Sequence, residues 1–405
     1  MKVNQIICGD CLEVMQGFPD NCIDSIVTDP PYGWSFMGKQ WDYDIPAVEV
    51  WQEALRVLKP GGHALIACGT RTQHRMAVNI EDAGFEIRDL IMWHYGSGFP
   101  KSHAIGKAVD KLLGNERELV GEKKTPDGKP MSARTPKSKD DYHPSHNVMS
   151  GATKHNIWET KGTSKHEGWG TALKPATEII TLARKPLSEK TIAENVLRWG
   201  TGGINIDGCR VEHNEECKLM KAQTNDEIMT GGGKYGQAGR RVDVLELKPQ
   251  GRFPSNVILD GSTEVKDCFP DTKSGGINPA KHNHKNKKGN ALSGSKDGSL
   301  NNYLPHQVYK SDSGSAARFF YTAKASRRER SKANNHPTVK PIKLMKYLVK
   351  LITPSKGICL DLYAGSGSTV FACIEEGFNF VAIEISEEYC KIANQRINNA
   401  QLSLF

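Results

Sequence analysis

The chain has 405 residues, of which 38% are hydrophobic, enough for a core and for two or three domains of average size. No window approaches the roughly 18 apolar residues of a membrane span, and the N-terminus lacks the apolar stretch of a signal peptide, so we expect a cytoplasmic protein. Residues 101–340 hold 41 Lys and Arg against 27 Asp and Glu, whereas the rest of the chain is acidic. A basic middle suits a polyanionic partner, although it can also serve solubility.

Short apolar runs alternate with helical patterns near the N-terminus. The pattern predicts strands over 3–8, 23–27 and 63–68, helices over 12–17, 48–58 and 73–82, and two β-like runs over 86–95. The helix over 48–58 should end at Lys59-Pro60-Gly61-Gly62, because proline and glycine terminate helices. This alternation of strand and helix predicts a mostly parallel sheet.

The alternation fails from about residue 101 to 335. Two stretches, 123–167 and 273–299, have few apolar residues and predict flexible loops. Four segments between them could pack, namely 177–183, 192–199, 204–211 and 253–259. The alternation then resumes with helices over 342–352, 369–376 and 388–398 and strands over 357–362 and 380–385. We therefore expect one sheet built from both ends of the chain.

The ten cysteines lie mostly in apolar runs, which indicates reduced thiols rather than a disulfide framework. Cys8 and Cys11 form a CxxC with no second pair. A more scattered set also lacks the paired spacing of zinc modules, and it comprises Cys209, His213, Cys217 and Cys268. We expect no metal site.

The segment Asp29-Pro30-Pro31-Tyr32 directly follows the predicted strand over 23–27. A carboxylate beside two stiff prolines and an aromatic ring is suited to holding an exocyclic amine for attack on a methyl donor. The alternative is a tight turn with an N-capping aspartate and a core tyrosine.

A glycine-rich turn follows the predicted strand over 357–362 and reads Asp361-Leu362-Tyr363-Ala364-Gly365-Ser366-Gly367-Ser368-Thr369. It lacks the third glycine of a dinucleotide fingerprint and the lysine of a P-loop. Its two glycines let a ligand approach the backbone, and an acid at the end of the next strand, here Glu384, commonly takes ribose hydroxyls. The alternative is an ordinary turn with a surface glutamate.

In their order along the chain, these motifs resemble the amino DNA methyltransferases of the N6-adenine/N4-cytosine family. The arrangement is the permuted β-type, in which the catalytic motif precedes the target-recognition region and the cofactor motif follows it. The family commonly has Phe where this chain has Tyr363. The matching segments are Gly9-Asp10-Cys11, Asp29-Pro30-Pro31-Tyr32, Leu58-Lys59-Pro60-Gly61-Gly62, His336-Pro337-Thr338-Val339-Lys340-Pro341, Asp361 to Thr369 and Ala382-Ile383-Glu384.

The resemblance implies an α/β, Rossmann-like fold that uses S-adenosylmethionine, with a mostly parallel seven-stranded sheet and a large central insertion. It divides the chain into a catalytic half over 1–100, a basic target-recognition insertion with flexible loops over 101–335, and a cofactor-binding half over 336–405. No motif covers the insertion.

The resemblance also implies catalytic roles for Asp29, Pro30, Pro31 and Tyr32. The Asp29 carboxylate and the Pro30 carbonyl would each accept one hydrogen of a flipped base's amine, so that the nitrogen lone pair points at the methyl group. Tyr32 would stack on the base. Because Asp at the first motif position goes mostly with adenine and Ser with cytosine, we expect adenine N6, with cytosine N4 as the alternative.

For the cofactor, the resemblance implies that Gly365 and Gly367 approach the methionine and ribose portions and that Glu384 holds the ribose. Asp10 would face the adenine, and Thr338 and Lys340 the methionine end, although Lys340 could equally be solvated. The full set of expected cofactor residues is Asp10, Thr338, Lys340, Asp361, Ala364, Gly365, Gly367, Thr369 and Glu384.

Double-stranded DNA is the partner that the resemblance implies, in a bacterial cell or a phage, and a homodimer and a restriction endonuclease partner stay open. A basic and aromatic group could contact DNA or form a solvated helix face, and it comprises Arg318, Phe319, Phe320, Tyr321, Arg327, Arg328 and Arg330. RNA or protein-glutamine methylation is disfavoured, because in those enzymes the cofactor motif usually comes first. A non-catalytic DNA-binding protein would be free to lose Asp29 and the glycine turn.

Overall fold

The computed structural model describes residues 1–34, 43–98, 102–124, 130, 132–135, 153–156, 158–212, 251–273, 313–323 and 340–402. The elements up to residue 113 are β1 (Gln5–Cys8), α1 (Cys11–Gln16), β2 (Ile23–Thr28), α2 (Val48–Val57), β3 (Leu58–Cys68), α3 (Gln73–Asp82), β4 (Glu86–His94) and α4 (Ile105–Leu113). Within the described residues, no helix has the length and apolarity needed to cross a bilayer.

The middle of the chain contains β5 (Glu118–Glu122), β6 (Ser132–Thr135), β7 (Thr153–Asn156), β8 (Trp158–Lys161), β9 (Thr177–Arg184), α5 (Ile192–Trp199), β10 (Val257–Leu259), α6 (Thr263–Lys266), β11 (Asp271–Lys273), β12 (Ser313–Ser315) and β13 (Tyr321–Thr322). The C-terminal part contains α7 (Ile342–Ile352), β14 (Ile358–Asp361), α8 (Ser368–Glu376), β15 (Asn379–Glu384) and α9 (Glu387–Leu402).

One sheet of nine strands organises the described residues, in the order β1-β15-β14-β2-β3-β9-β4-β10-β13. Strand β9 runs antiparallel to β3 and β4, and every other pair in this sheet is parallel. The predicted α/β class, with a mainly parallel sheet built from both ends of the chain, is confirmed. The sheet is wider than the seven strands expected.

The segment predicted as an insertion over 101–335 supplies β9, β10 and β13 to this sheet. Its other described strands form three two-stranded pairs, β5 with β8, β6 with β7, and β11 with β12. Strands therefore occur within 123–167, where polar composition indicated only a loop; residues 274–299 of the second predicted loop lie outside the described residues. The boundaries at 100 and 335 stay a prediction.

Both faces of the central strands are buried. In β2, Val27 packs into one apolar cluster with Leu344 and Val349 of α7, whereas Ile26 packs into a second cluster with Trp51 of α2. Neighbouring residues of a strand point to opposite faces, so the two clusters lie on the two sides of the sheet. Helices therefore cover both sides, which leaves the ends of the strands as the accessible edge.

Six parallel strands, β1, β15, β14, β2, β3 and β4, end at the same edge of the sheet. The motifs that follow β2 and β14 are adjacent there, although more than 300 residues separate them in sequence. A hydrogen bond ties the two strand ends, with the Thr28 hydroxyl donating to Asp361 Oδ1 at 2.8 Å. Strand β9 is antiparallel and begins where the others end, with Thr177 opposite His94 of β4. A ligand site is expected at this edge, beside the switch in strand order.

Candidate active site

A cavity of about 1130 Å³ opens at the carboxyl ends of the parallel strands. Its walls come from the residues that follow β1, β2, β3, β4, β14 and β15, and from the segment that leads into β9. The predicted site residues that line it are Asp10, Asp29, Pro30, Pro31, Tyr32, Lys340, Asp361, Ala364, Gly365, Thr369 and Glu384. Gly367 is not in the lining, and Thr338 lies outside the described residues.

Asp29 is held by two donors at the end of β2. The Tyr32 hydroxyl donates to Asp29 Oδ1 at 2.7 Å, and the Lys340 ammonium donates to Asp29 Oδ2 at 2.6 Å. Burial raises the pKa of Tyr32 well above its usual value, and the nearby carboxylates of Asp29 and Glu178 raise it further, so the phenol stays protonated. These two contacts fix the orientation of the carboxylate before any substrate arrives.

Lys340 lies just before α7 and is 8% exposed. Its ammonium contacts Asp29, lies 3.1 Å from Glu178 Oε2, and lies 3.0 Å from the Tyr32 hydroxyl oxygen. Burial alone lowers the pKa of Lys340, but Asp29 and Glu178 outweigh it and hold the pKa above its usual value. The structure thus places Lys340 beside Asp29 and Tyr32, and its expected role at the methionine end of the cofactor stays a prediction.

Glu178, near the start of β9, is a residue that sequence reasoning missed. It enters the cavity only because β9 runs antiparallel, which brings the beginning of this strand to the edge where its neighbours end. The apolar run over 177–183 predicted a packed segment but gave no direction for it. A carboxylate at the start of a strand beside Lys340 was therefore not recognisable from spacing.

The opposite side of the cavity is formed by Glu384 and the glycine turn. Glu384 Oε2 accepts a hydrogen bond from the Gly365 amide at 2.7 Å, and Oε1 accepts one from the Ser386 amide at 2.9 Å. Burial raises the pKa of Glu384, although the amides oppose this shift. The Ile385 amide contributes a further hydrogen bond, and a carboxylate with four lone pairs then keeps accepting capacity for another donor. A buried carboxylate with this spare accepting capacity fits the hydroxyls of a ribose.

Asp361 is 3% exposed and accepts hydrogen bonds from the Thr28 hydroxyl and, at 3.1 Å, from the Tyr363 amide. Burial raises the pKa of Asp361 to about 6, and its hydrogen bonds, including one with Thr369, limit the shift. Asp361 therefore changes charge close to physiological pH, at the point where the two motifs meet.

Gly365 and Gly367 serve different structural purposes in the turn. Both adopt left-handed backbone angles, with φ of 51° at Gly365 and 84° at Gly367. Gly365 lines the cavity, where its amide binds Glu384. A Cβ on Gly367 would meet the Ala393 Cβ of α9 at 3.3 Å, so this position permits helix packing. Gly365 therefore lines the cavity and Gly367 does not, and the approach of both to a cofactor stays a prediction.

Asp10 has a local structural role in addition to its place in the cavity. Its carboxylate accepts hydrogen bonds from the Leu12 amide at 2.9 Å and the Glu13 amide at 3.3 Å, and so caps the N-terminus of α1. One oxygen, Oδ1, receives both bonds. The other carboxylate oxygen of Asp10, Oδ2, does not take part in this cap.

The basic and aromatic group near residue 320 is only partly described. Arg318 donates to the Thr272 hydroxyl at 2.9 Å and to the Ser315 carbonyl at 3.0 Å, and its guanidinium lies 4.3 Å from the centre of the Phe319 ring. These contacts tie β11 and β12 to the turn before β13. Arg327, Arg328 and Arg330 lie outside the described residues.

With the fold and cavity established, comparison identifies the class of protein. Residues 23–395 match the model of the N6/N4 methyltransferase family, described as DNA methylase. The chain therefore belongs to this DNA methylase family, as the order of its motifs predicted.

Individual relatives match shorter stretches. The type II methyltransferase M.HpaI of Haemophilus parainfluenzae is 27% identical over 166 residues, which cover 38% of this chain and 50% of the relative. The DNA adenine methyltransferase YhdJ of Escherichia coli K12 is 39% identical over 66 residues, which cover 16% of this chain and 22% of the relative. The chain thus spans half or less of the length of these two curated relatives.

Solved methyltransferase structures align with nearly the whole chain at low similarity. The M1.HpyAVI complex with SAM has a TM-score of 0.39 at 15% identity, and covers 97% of this chain and 98% of that one. The cytosine-N4-specific PvuII DNA methyltransferase has a TM-score of 0.41 at 12% identity, and covers 96% and 84%.

Proposed function

We propose that this protein is a site-specific methyltransferase that transfers a methyl group from S-adenosylmethionine to the exocyclic amine of a base in double-stranded DNA. The observation that carries the proposal is the shared cavity. The amine-binding motif after β2 and the glycine turn after β14 open into one space, with Asp29 on one side and Glu384 on the other. Family membership supports the same activity.

The residues present fit the cofactor. Glu384 offers two buried acceptor oxygens for ribose hydroxyls, and Gly365 beside it has no side chain to block approach. Asp361 adds an acidic group suited to a ligand that carries positive charge. The cavity of about 1130 Å³ exceeds the volume of most single-ligand pockets, roughly 300–1,000 Å³, and so has room for a base as well. When bound, S-adenosylmethionine supplies an electrophilic methyl group.

The protein's contribution to catalysis lies at the nucleophile. An aromatic amine donates its lone pair into the ring and is a weak nucleophile. The Asp29 carboxylate and the Pro30 carbonyl would each accept one amine hydrogen, which localises the lone pair and stabilises positive charge developing on nitrogen. Because Tyr32 and Lys340 already fix the carboxylate, little reorganisation is needed at the moment of reaction.

The amine nitrogen must lose a proton once its new bond to carbon forms. Asp29 is the acceptor that contacts the amine in this arrangement, and it can take the proton onto a carboxylate oxygen. Lys340 cannot accept it, because its raised pKa keeps it protonated.

We propose adenine N6 as the target, with cytosine N4 as the alternative. Both are planar amines that the same acceptor pair can hold, and neither needs a cysteine nucleophile. Asp29 at the first motif position favours adenine, and the relative YhdJ bears the name of a DNA adenine methyltransferase. The homodimer and the restriction endonuclease partner stay predictions.

The direct test is long-read sequencing of DNA from cells that express the protein, combined with mass spectrometry of the nucleosides. We expect a new N6-methyladenine within a defined sequence motif, and none in cells that express Asp29→Ala. N4-methylcytosine as the only new nucleoside would overturn the adenine assignment alone. Unmodified DNA, with methyl transfer to RNA or protein, would overturn the proposed substrate.

Glu384→Ala is expected to weaken S-adenosylmethionine binding by roughly 10- to 100-fold, because hydrogen bonds to a charged group contribute about 1.5–3 kcal/mol. Titration calorimetry measures the affinity. Glu387→Ala is the matched control, since the Glu387 side chain is 82% exposed on α9. Equal affinities for the two variants would exclude Glu384 from the cofactor site.

Cofactor affinity should also depend on the charge of Asp361. Its pKa of about 6 means that the group is ionised above pH 6 and neutral below it. A positively charged ligand favours the ionised form, so affinity should fall as pH drops below about 6, by up to tenfold per unit. Calorimetry between pH 5 and 8 tests this. Asp361→Asn should remove this component of the pH dependence, and an unchanged profile in the variant would contradict the assignment.

A further inference from the structure

An anchored segment crosses the mouth of the cavity just before β9. Residues 171–177 all line the cavity. At one end the Thr171 amide donates to the Ser102 hydroxyl at 2.9 Å, and at the other the Tyr95 amide donates to the Ala176 carbonyl at 3.0 Å. The Lys174 ammonium adds a side-chain contact in the middle by donating to the Gly96 carbonyl at 2.6 Å. The segment is thus held by its backbone at both ends and by one side chain between them.

Leu173 stands out on this fixed segment because its side chain is 93% exposed. Burying a leucine side chain is favourable, so an anchored segment that holds one in solvent forgoes that stabilisation in the free protein. Leu173 also lines the cavity, which places it at the rim rather than on a remote surface. We therefore expect the Leu173 side chain to contact an apolar surface of the substrate when the substrate binds.

The position of Leu173 within the cavity indicates whether the surface that it meets belongs to the cofactor or to a nucleic acid. The proposed cofactor residues Asp361 and Glu384 end β14 and β15, on one side of β2. Leu173 precedes β9, on the other side of β2, where Arg71 and Trp34 also line the cavity. The Arg71 guanidinium lies 5.5 Å from the centre of the Trp34 ring. An exposed cation and an exposed leucine on the side of the amine site suit a nucleic acid rather than the cofactor.

We propose that Leu173 is a wedge that enters the DNA duplex in the space left by the flipped target base. This inference rests on the proposed function. Flipping a base into the cavity costs a few kcal/mol of lost stacking and pairing, and an apolar side chain that fills the gap restores part of the stacking contact. Because the segment is held at both ends, Leu173 lies at the rim before DNA binds, so little further ordering of its backbone is needed.

The test compares duplexes that differ in the cost of flipping. After sequencing defines the target motif, two synthetic duplexes are prepared, one with the target base normally paired and one with an abasic site opposite it. Single-turnover methylation is measured for wild type, Leu173→Ala and Leu197→Ala. Leu197 is the matched control, because it is 87% exposed but lies on α5 and outside the cavity lining.

On the paired duplex, Leu173→Ala should be slower than wild type by roughly 10- to 100-fold, which matches a few kcal/mol of flipping cost. On the abasic duplex, the rate of Leu173→Ala should lie within about threefold of the wild-type rate, because flipping the target base then breaks no base pair. Leu197→Ala should match wild type on both. Cofactor affinity of Leu173→Ala, measured by calorimetry, should be unchanged.

Two outcomes would overturn the wedge while leaving the proposed function in place. One is a Leu173→Ala enzyme as fast as wild type on the paired duplex. The other is an equal loss of rate on both duplexes, which would show that Leu173 acts in binding or folding rather than in flipping. A wild-type protein that methylates neither duplex would instead overturn the proposed function.

Discussion

Asp29→Asn should lower the rate of methyl transfer by about 10²- to 10³-fold, the usual effect of removing one preorganised electrostatic contact at a reacting centre. The amide oxygen of asparagine can still accept a hydrogen bond, but it has no charge to stabilise the developing positive nitrogen and cannot take the proton. Affinity for S-adenosylmethionine should change little, because the residues proposed to hold it lie across the cavity around Glu384. Single-turnover transfer of a radiolabelled methyl group and calorimetry measure the two quantities separately.

Asp82→Asn is a suitable control for this substitution, because Asp82 ends α3 at an exposed position outside the cavity lining. It should transfer methyl groups at the wild-type rate. An Asp29→Asn enzyme with full activity would remove the proposed amine chemistry. Loss of cofactor binding in the same variant would mean that Asp29 belongs to the cofactor site instead.

The sequence predicted the helices and the halves of the sheet where local patterns are strong. Helices α3 and α7 have the predicted bounds, because each shows a clear apolar stripe at helical spacing. The union of the two chain ends was also predictable, since each α/β pattern leaves strand edges whose N–H and C=O groups need a partner. Pairing of β2 with β14 joins two of these edges.

Local patterns failed where long-range pairing decides the structure. Strands β10 and β13 have three and two residues, too few to show any period, and they form only because β4 offers a free edge. Lys59-Pro60-Gly61-Gly62 does end α2, but these residues form the start of β3 rather than a loop. Gly61 donates its amide to the Lys185 carbonyl at 3.1 Å, and Asn195 donates to the Pro60 carbonyl at 2.8 Å. Both partners are more than 120 residues away in sequence.

In the candidate site too, local sequence patterns predicted some residues and missed others. Asp29 and Glu384 were identifiable because each follows a recognisable strand within a motif of fixed spacing. Glu178 was not, since its place in the cavity depends on the direction of β9. The surroundings of Lys340 were also beyond local reasoning, because its two carboxylate partners lie on β9 and just after β2.

Lys340→Met tests the role that the structure gives to this lysine. Without the ammonium, the carboxylates of Asp29 and Glu178 lie in one partly buried site with no cation between them. Their repulsion, together with the loss of one of the two donors that hold Asp29, should turn its carboxylate away from the position that accepts the amine. We expect methyl transfer to fall by roughly 10- to 100-fold.

The double variant Lys340→Met/Glu178→Gln separates this explanation from a cofactor role for Lys340. Removing the second carboxylate removes the repulsion, so Asp29 can return to its position and the rate should rise above that of Lys340→Met alone. Such non-additivity is expected only of residues that interact. If Lys340 instead binds the methionine end, Lys340→Met should raise the dissociation constant for S-adenosylmethionine and gain nothing from Glu178→Gln. Single-turnover rates together with calorimetry on the three proteins therefore distinguish a lysine that positions Asp29 from one that holds the cofactor.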